Sequence, residues 1–257
     1  MAKDLLVLRT NIPSKYWEEK FEDLKDFFHI IVISDERKNN VGFSKYTKIK
    51  FDMDSISNLN LITSDDMQWR FGDYALYLSN AYISDYRYIW LVEPDVFFNK
   101  IHPKEFFSLY ESIDVDLITS YFSRSDESWP WHSYKNEINV NEVYKSFFPL
   151  LRVSRKAVNM IYGDRVSFHT LANDESFFAS RLIENNLTYS TFDKHPDVIY
   201  NKNSFSFRLP HYSKFIWGGK SIYHPVFHDF RGYTLHLIKR ESWKKLIKRI
   251  FGIDNID

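Results

Sequence analysis

The chain opens on a short apolar run, Leu5 to Leu8, that stops at the polar group Arg9-Thr10-Asn11. Pro13 and Ser14 follow. Trp17, Phe21, Leu24 and Phe28 then recur at spacings of four, three and four, the period of one helical face. Ile30 to Ile33 is a β-branched run closed by Ser34-Asp35-Glu36. Strand, helix and strand in that order predict a βαβ unit, and so a sheet that is parallel at its start.

A second cycle follows. Gly72 to Ile83 reads as a helix, Tyr88 to Val92 as a strand, Phe106 to Ser112 as a helical piece and Leu117 to Ser120 as a strand. Between Tyr121 and Asn141 the periodicity gives way to a loop rich in Ser, Asp, Trp and His. Phe148 to Val153 predicts a strand, Ser154 to Tyr162 a helix, Asp174 to Glu184 a helix and Thr188 to Phe192 a strand. No repeat, low-complexity tract or Pro/Gly-rich linker interrupts the series, so residues 1–234 are expected to form one domain.

From Arg240 the pattern changes. Trp243, Leu246, Ile247, Ile250 and Phe251 fall on one helical face, and Lys239, Arg240, Lys244, Lys245, Lys248 and Arg249 occupy the rest. Residues 235–257 read as a basic amphipathic tail. Such a tail suits an anionic membrane surface, or packs on the domain with its basic face in water.

Apolar residues make up 44 % of the chain and aromatics 18 %, which argues for a packed globule and against disorder. Lys+Arg and Asp+Glu both number 34, so no overall charge draws the molecule to nucleic acid, and any electrostatic function must be local. Without cysteine there is no disulfide, zinc–thiolate site or thiol nucleophile. Leu5-Leu-Val-Leu is too short an apolar run for a signal peptide, and no stretch approaches the roughly 18 apolar residues a bilayer requires. The expectation is a soluble cytoplasmic enzyme, peripheral on the inner face of the membrane if the tail binds lipid.

None of the seven glycines forms G-x-G-x-x-G, G-x-x-x-x-G-K-[ST] or G-x-S-x-G, so the chemistry must be sought in carboxylates and histidines. The sharpest feature is Tyr88-Ile-Trp-Leu-Val-Glu93-Pro94-Asp95. In an extended chain residues two apart point the same way, so Glu93 and Asp95 can converge. Pro94 removes a backbone donor and ends the ladder, which places the pair at the carboxyl edge of a sheet, where open α/β sheets bind ligands. Two like charges held this close repel unless a cation lies between them, and oxygen ligands favour Mg²⁺ or Mn²⁺ shared with substrate phosphates. The plainer alternative is a pair of solvated turn acids beyond a buried strand.

Asn173-Asp174-Glu175 precedes a helix, so its acids are candidates either for a cap or for a general base. Tyr223-His224-Pro225-Val226-Phe227-His228 sets two histidines around a proline. A neutral imidazole at His224 can complete a cation's coordination sphere, although a lone histidine is more often an ordinary core or surface residue.

Together these elements resemble the GT-A glycosyltransferases, over most of residues 5 to 230. The resemblance implies an α/β, Rossmann-like fold: a mostly parallel central sheet flanked by helices. Glu93-Pro94-Asp95 is similar to the metal-binding D-x-D of that family, with Glu in place of the first Asp. Asp174-Glu175 resembles the acidic pair that opens the acceptor-side helix, in reversed order. Glu175 is the expected base, and Asp174 is expected to hold the acceptor or cap the helix. His224 resembles the C-terminal histidine that reaches the metal or diphosphate. Trp69-Arg70-Phe71-Gly72-Asp73-Tyr74 looks like the bacterial surface-polysaccharide enzymes of this group.

The implied activity is metal-dependent and inverting, with Mn²⁺ or Mg²⁺ as cofactor. A sugar moves from a nucleoside-diphosphate sugar, UDP favoured, to a hydroxyl of a glycan or glycolipid acceptor. Arg9, Thr10, Asn11 and Asp35 would then hold the nucleotide, with Arg70 and Asp73 on ribose or donor sugar. Trp129, Trp131 and His132 are the candidates for stacking on the acceptor. Two other readings compete: a metal-dependent phosphohydrolase, which needs a denser ligand set, and a non-catalytic carbohydrate-binding or scaffold protein that kept the fold.

Overall fold

A computed structural model describes residues 3–194, 200, 203–207 and 209–240. In chain order its strands are β1 (Leu5–Thr10), β2 (His29–Ser34), β3 (Thr47–Lys50), β4 (Tyr88–Val92), β5 (Phe97–Asn99), β6 (Leu117–Thr119), β7 (Phe122–Arg124), β8 (Tyr144–Ser146), β9 (Leu150–Ser154), β10 (Tyr189–Thr191), β11 (His211–Tyr212), β12 (Ser221–Tyr223) and β13 (Val226–Phe227). The helices are α1 (Lys15–Leu24), α2 (Met53–Ser57), α3 (Met67–Arg70), α4 (Tyr74–Tyr82), α5 (Pro103–Ser108), α6 (Arg155–Phe168), α7 (Asp174–Glu184) and α8 (Phe230–Arg240). Two compact units divide the chain: Met1–Pro94 with Pro103–Pro196, and Asp95–His102 with Asp197–Asp257.

The first unit is a three-layer α/β structure built on a seven-stranded sheet, in the order β10-β6-β9-β4-β1-β2-β3. Its strands run parallel except β9, which is antiparallel to both β4 and β6. Strand residues alternate between two covered faces. On one, Leu5, Val7, Ile31, Ile33, Ile89 and Leu91 share a core with Leu76 of α4, Ile161 of α6 and Phe177 of α7. On the other, Trp90 packs its ring against Phe106, Phe107 and Tyr110 and lies parallel to Phe192. Burying a side chain of this kind contributes about 1.5–3 kcal/mol.

Helix starts follow local chemistry. The side chains of Ser14, Ser154 and Asn173 accept the backbone N–H of residues 17, 157 and 176, capping α1, α6 and α7. The predicted first helix was to reach Phe28, but α1 stops at Leu24, and Phe28 turns to pack edge-on against Phe107, 5.4 Å away. The predicted loop 121–141 holds strand β7 and a 3-10 turn, Pro130–Lys135.

The chain leaves β1 toward β2 on one side and later lays β4 along the other. Strand order therefore switches direction between β1 and β4, and their carboxyl ends flank the crevice where such sheets take ligands.

In the second unit β5 pairs antiparallel with β12, and β11 parallel with β13. The His224–Pro225 peptide is cis. The Val226 N–H donates to the Asp95 carbonyl across 2.9 Å. Helix α8 runs through position 235, where the tail was expected to begin. Residues 241–257, with the apolar face of Trp243, Leu246, Ile247, Ile250 and Phe251, lie outside the described residues. Among the described residues no helix is long and apolar enough to cross a membrane.

Candidate active site

At the carboxyl end of β1, Arg9 turns into the first unit and pairs with Glu93, the residue after β4. Its Nη1 lies 3.9 Å from Asp174 Oδ2 and 3.4 Å from the Gln68 carbonyl. Burial works against the Arg9 charge, but Glu93 and Asp174 outweigh it and hold the guanidinium firmly protonated.

Asp174 begins α7 and is held from three sides. Oδ2 accepts the Gly72 N–H at 2.9 Å, and Oδ1 accepts the Glu175 N–H at 2.8 Å. Burial pushes its carboxyl up to about 7, against the pull of Arg9 and with repulsion from Asp73 and Glu93. Glu175, one residue on, is half-buried.

Gly72 is a site residue that the sequence reading passed over. A Cβ there would fall on the Arg9 guanidinium and the Asp174 carboxylate, so only glycine lets the backbone come this close. The available signal was a lone glycine opening a helix in a chain with very few.

Asp73 requires a correction. Read as a donor contact, it is instead fully buried, its oxygens 2.9 and 3.1 Å from Arg165 Nε and Nη2. The Tyr77 hydroxyl donates to it at 3.0 Å. Arg165 Nη1 also donates to the Ala172 carbonyl at 2.8 Å, so the pair braces the segment that leads into Asp174. No face of Asp73 is left for a ligand.

In the second unit Asp95 and His224 come together. His224 Nδ1 lies 3.0 Å from the Ser206 carbonyl oxygen, which can only accept, so Nδ1 carries the proton. In the neutral ring Nε2 then presents a lone pair, 3.4 Å from Asp95 Oδ1. That oxygen is buried and has no hydrogen-bond partner among the described residues. A ring lone pair facing a carboxylate oxygen is unfavourable unless a proton or a cation lies between them. The donor set fits a divalent cation, and an imidazole oriented through its other nitrogen by a backbone carbonyl is the usual metal-ligand arrangement. His228 turns its ring edge to Phe97, and burial keeps its pKa below the ordinary value.

The remaining candidates are scattered over the first unit. Thr10 Oγ1 closes a local turn with Ile12, and Asn11 is exposed. Asp35, after β2, grips Arg37 Nε and Nη2 at 2.9 and 3.1 Å. Arg70 pairs with Asp66 at 2.7 Å and donates to the Leu171 carbonyl at 3.2 Å. Its guanidinium lies 5.3 Å from the Trp131 ring centre. Trp129 packs against the core, and His132 Nδ1 lies 2.8 Å from Ser125 Oγ.

No protein-family model and no curated protein matches the chain. Solved structures do. The chain is similar to galactosyltransferase LgtC in complex with donor and acceptor sugar analogs, at 11 % identity over 99 % of this chain and 97 % of that one, TM-score 0.46. It is similar to core-mannan synthase A of Aspergillus fumigatus in its Mn/GDP form, at 13 % identity over 75 % and 73 %, TM-score 0.44. It is also similar to the inositol-1-phosphate CTP transferase of T. maritima, at 12 % identity over 74 % and 85 %, TM-score 0.43.

Proposed function

We propose that this protein is a metal-dependent, inverting glycosyltransferase of the GT-A kind. It moves a sugar from a nucleoside-diphosphate sugar, UDP-linked by preference, to a hydroxyl of a glycan or glycolipid in bacterial surface-polysaccharide synthesis. The supporting observation is that His224 Nε2 lies 3.4 Å from Asp95 Oδ1, a buried oxygen with no hydrogen-bond partner among the described residues. Glu93, two residues before Asp95 in the sequence, is the third ligand of the proposal, and two carboxylates with one imidazole would suit Mn²⁺ or Mg²⁺.

Such an ion, when bound, neutralises charge gathering on the diphosphate leaving group. The chain's own residues do the rest. Glu175 takes the proton of the acceptor hydroxyl as that oxygen bonds to the anomeric carbon and the bond to the diphosphate breaks. Asp174 fixes the start of α7, and with it the position of Glu175, through Gly72 and the Glu175 N–H. Arg9 balances Glu93. Thr10, Asn11 and Asp35, at the ends of β1 and β2, take the nucleotide. The basic tail places the enzyme on an anionic membrane surface, on its cytoplasmic face.

The test is donor turnover across a panel of nucleotide sugars, with and without EDTA. Wild-type protein should hydrolyse or transfer from at least one donor, stop in chelator and resume on adding Mn²⁺. Asp95→Asn should keep its circular-dichroism spectrum and lose turnover. Full activity in chelator, or near-native turnover in the variant, would rule the metal role out.

A further inference from the structure

The segment Gln68 to Gly72 touches the proposed reaction centre at two points and the chain leading into it at a third. The Gln68 carbonyl accepts from Arg9, Arg70 donates to the Leu171 carbonyl, and the Gly72 N–H reaches Asp174. In its middle, Trp69 leaves 69 % of its surface in water. An indole so exposed, on backbone held this firmly, forgoes the burial that most tryptophans find.

Trp69 does not stand alone. The Trp131 ring centre is 6.0 Å away at 50°, so the two indoles form an open V and do not cover each other. Trp131 is itself fixed by the Arg70 guanidinium at 5.3 Å and by Tyr134 at 5.8 Å. The Arg70 charge is already matched by Asp66, through bonds of 2.7 and 2.9 Å. The V is therefore aromatic, rigid and close to electrically neutral, which suits an uncharged ring with one apolar face better than an ion.

We infer that Trp69, with Trp131, is the platform on which a pyranose ring of the acceptor stacks, C–H face down. Its hydroxyl is thereby presented to the α7 start that carries Glu175. This rests on the glycosyltransferase reading for the acceptor role, but the binding site itself stands on the indoles and their neighbours. Trp69 is then a specificity-determining residue. It favours pyranosides whose C–H bonds gather on one face, and it gives an open-chain polyol nothing to stack. A nucleobase would also stack on tryptophan, but Arg70 ties the platform to the Leu171 carbonyl, in the segment that leads into Asp174 and the proposed base Glu175.

Saturation-transfer NMR on the full-length protein tests this with four probes: methyl β-D-galactopyranoside, methyl β-D-glucopyranoside, methyl α-D-mannopyranoside and sorbitol. At least one glycoside should bind saturably and sorbitol should not. Trp69→Ala should weaken that binding about tenfold, and Trp69→Phe should retain most of it. No glycoside binding, equal binding by Trp69→Ala with native circular dichroism, or displacement of the glycoside by UMP would overturn the platform. Mn²⁺ and UDP binding by the wild type, measured by calorimetry, decides the glycosyltransferase reading separately. Failure there, with Trp69-dependent sugar binding intact, would leave a carbohydrate-binding site without the transferase.

Discussion

Gly72 gives its backbone N–H to Asp174 Oδ2 across 2.9 Å, joining residues 102 positions apart at one point of the carboxyl rim. The bond exists because residue 72 has no side chain: a Cβ would occupy the space of the Arg9 guanidinium and the Asp174 carboxylate. Gly72→Ala should therefore push α7 away from β1. The expected loss is about 1–3 kcal/mol in urea unfolding, with donor turnover reduced more than stability alone explains. A variant with native turnover would show that the rim tolerates the shift.

Asp174 sets a pH dependence. Its folded-state pKa is raised to about 7, above the unfolded value near 4, so the folded state binds the extra proton. The stability this group contributes is full below about pH 4 and is lost as pH rises toward 7. Asp174→Asn should remove that fall. Thermal unfolding by circular dichroism between pH 4 and 8 should show the wild-type curve declining relative to the variant over this window, and parallel curves would contradict the assignment.

The Asp73–Arg165 pair is an internal brace. Asp73→Asn leaves the buried Arg165 charge without a carboxylate opposite it, and should cost about 3–5 kcal/mol. Replacing both, Asp73→Leu with Arg165→Met, should cost less than Asp73→Asn alone, because no charge is stranded. Chemical denaturation of the Asp73→Asn variant and of the double variant measures the difference, and a double variant less stable than Asp73→Asn would contradict the brace.

His224 offers a direct check on cation binding. His224→Ala should lower Mn²⁺ affinity by at least about tenfold, read by calorimetry without substrate. Unchanged affinity would remove the imidazole from the ligand set and leave the acids to bind alone.

Strand β4 was legible to the residue, since a strand buried on both faces writes itself as an unbroken apolar run. Helix α7 was equally plain, because Asn173 caps it and Phe177, Phe178 and Leu182 keep a helical period. Strand β3 was not, because Thr47-Lys-Ile-Lys lies at the sheet edge with half-exposed side chains, and its polarity reads as loop. Glu93, Asp95, Asp174 and His224 could be singled out because acids and histidine beside apolar runs need a reason. Asp73 could not be placed, because its partner Arg165 lies 92 positions away and no local pattern announces a long-range ion pair. Gly72 was missed for a related cause: what it makes room for comes from two distant segments.

The reversed direction of β9 has a consequence for how this scaffold can change. Strand β6 ends at the rim and β9 begins there, and the Glu93 N–H bonds to the carbonyl of Pro149 just before β9. The excursion of residues 120–149 therefore departs from and returns to the same edge, like a cassette clipped into a fixed frame. Lengthening, shortening or grafting it would reshape the surface around Trp131 while the strands that anchor both ends keep their pairing.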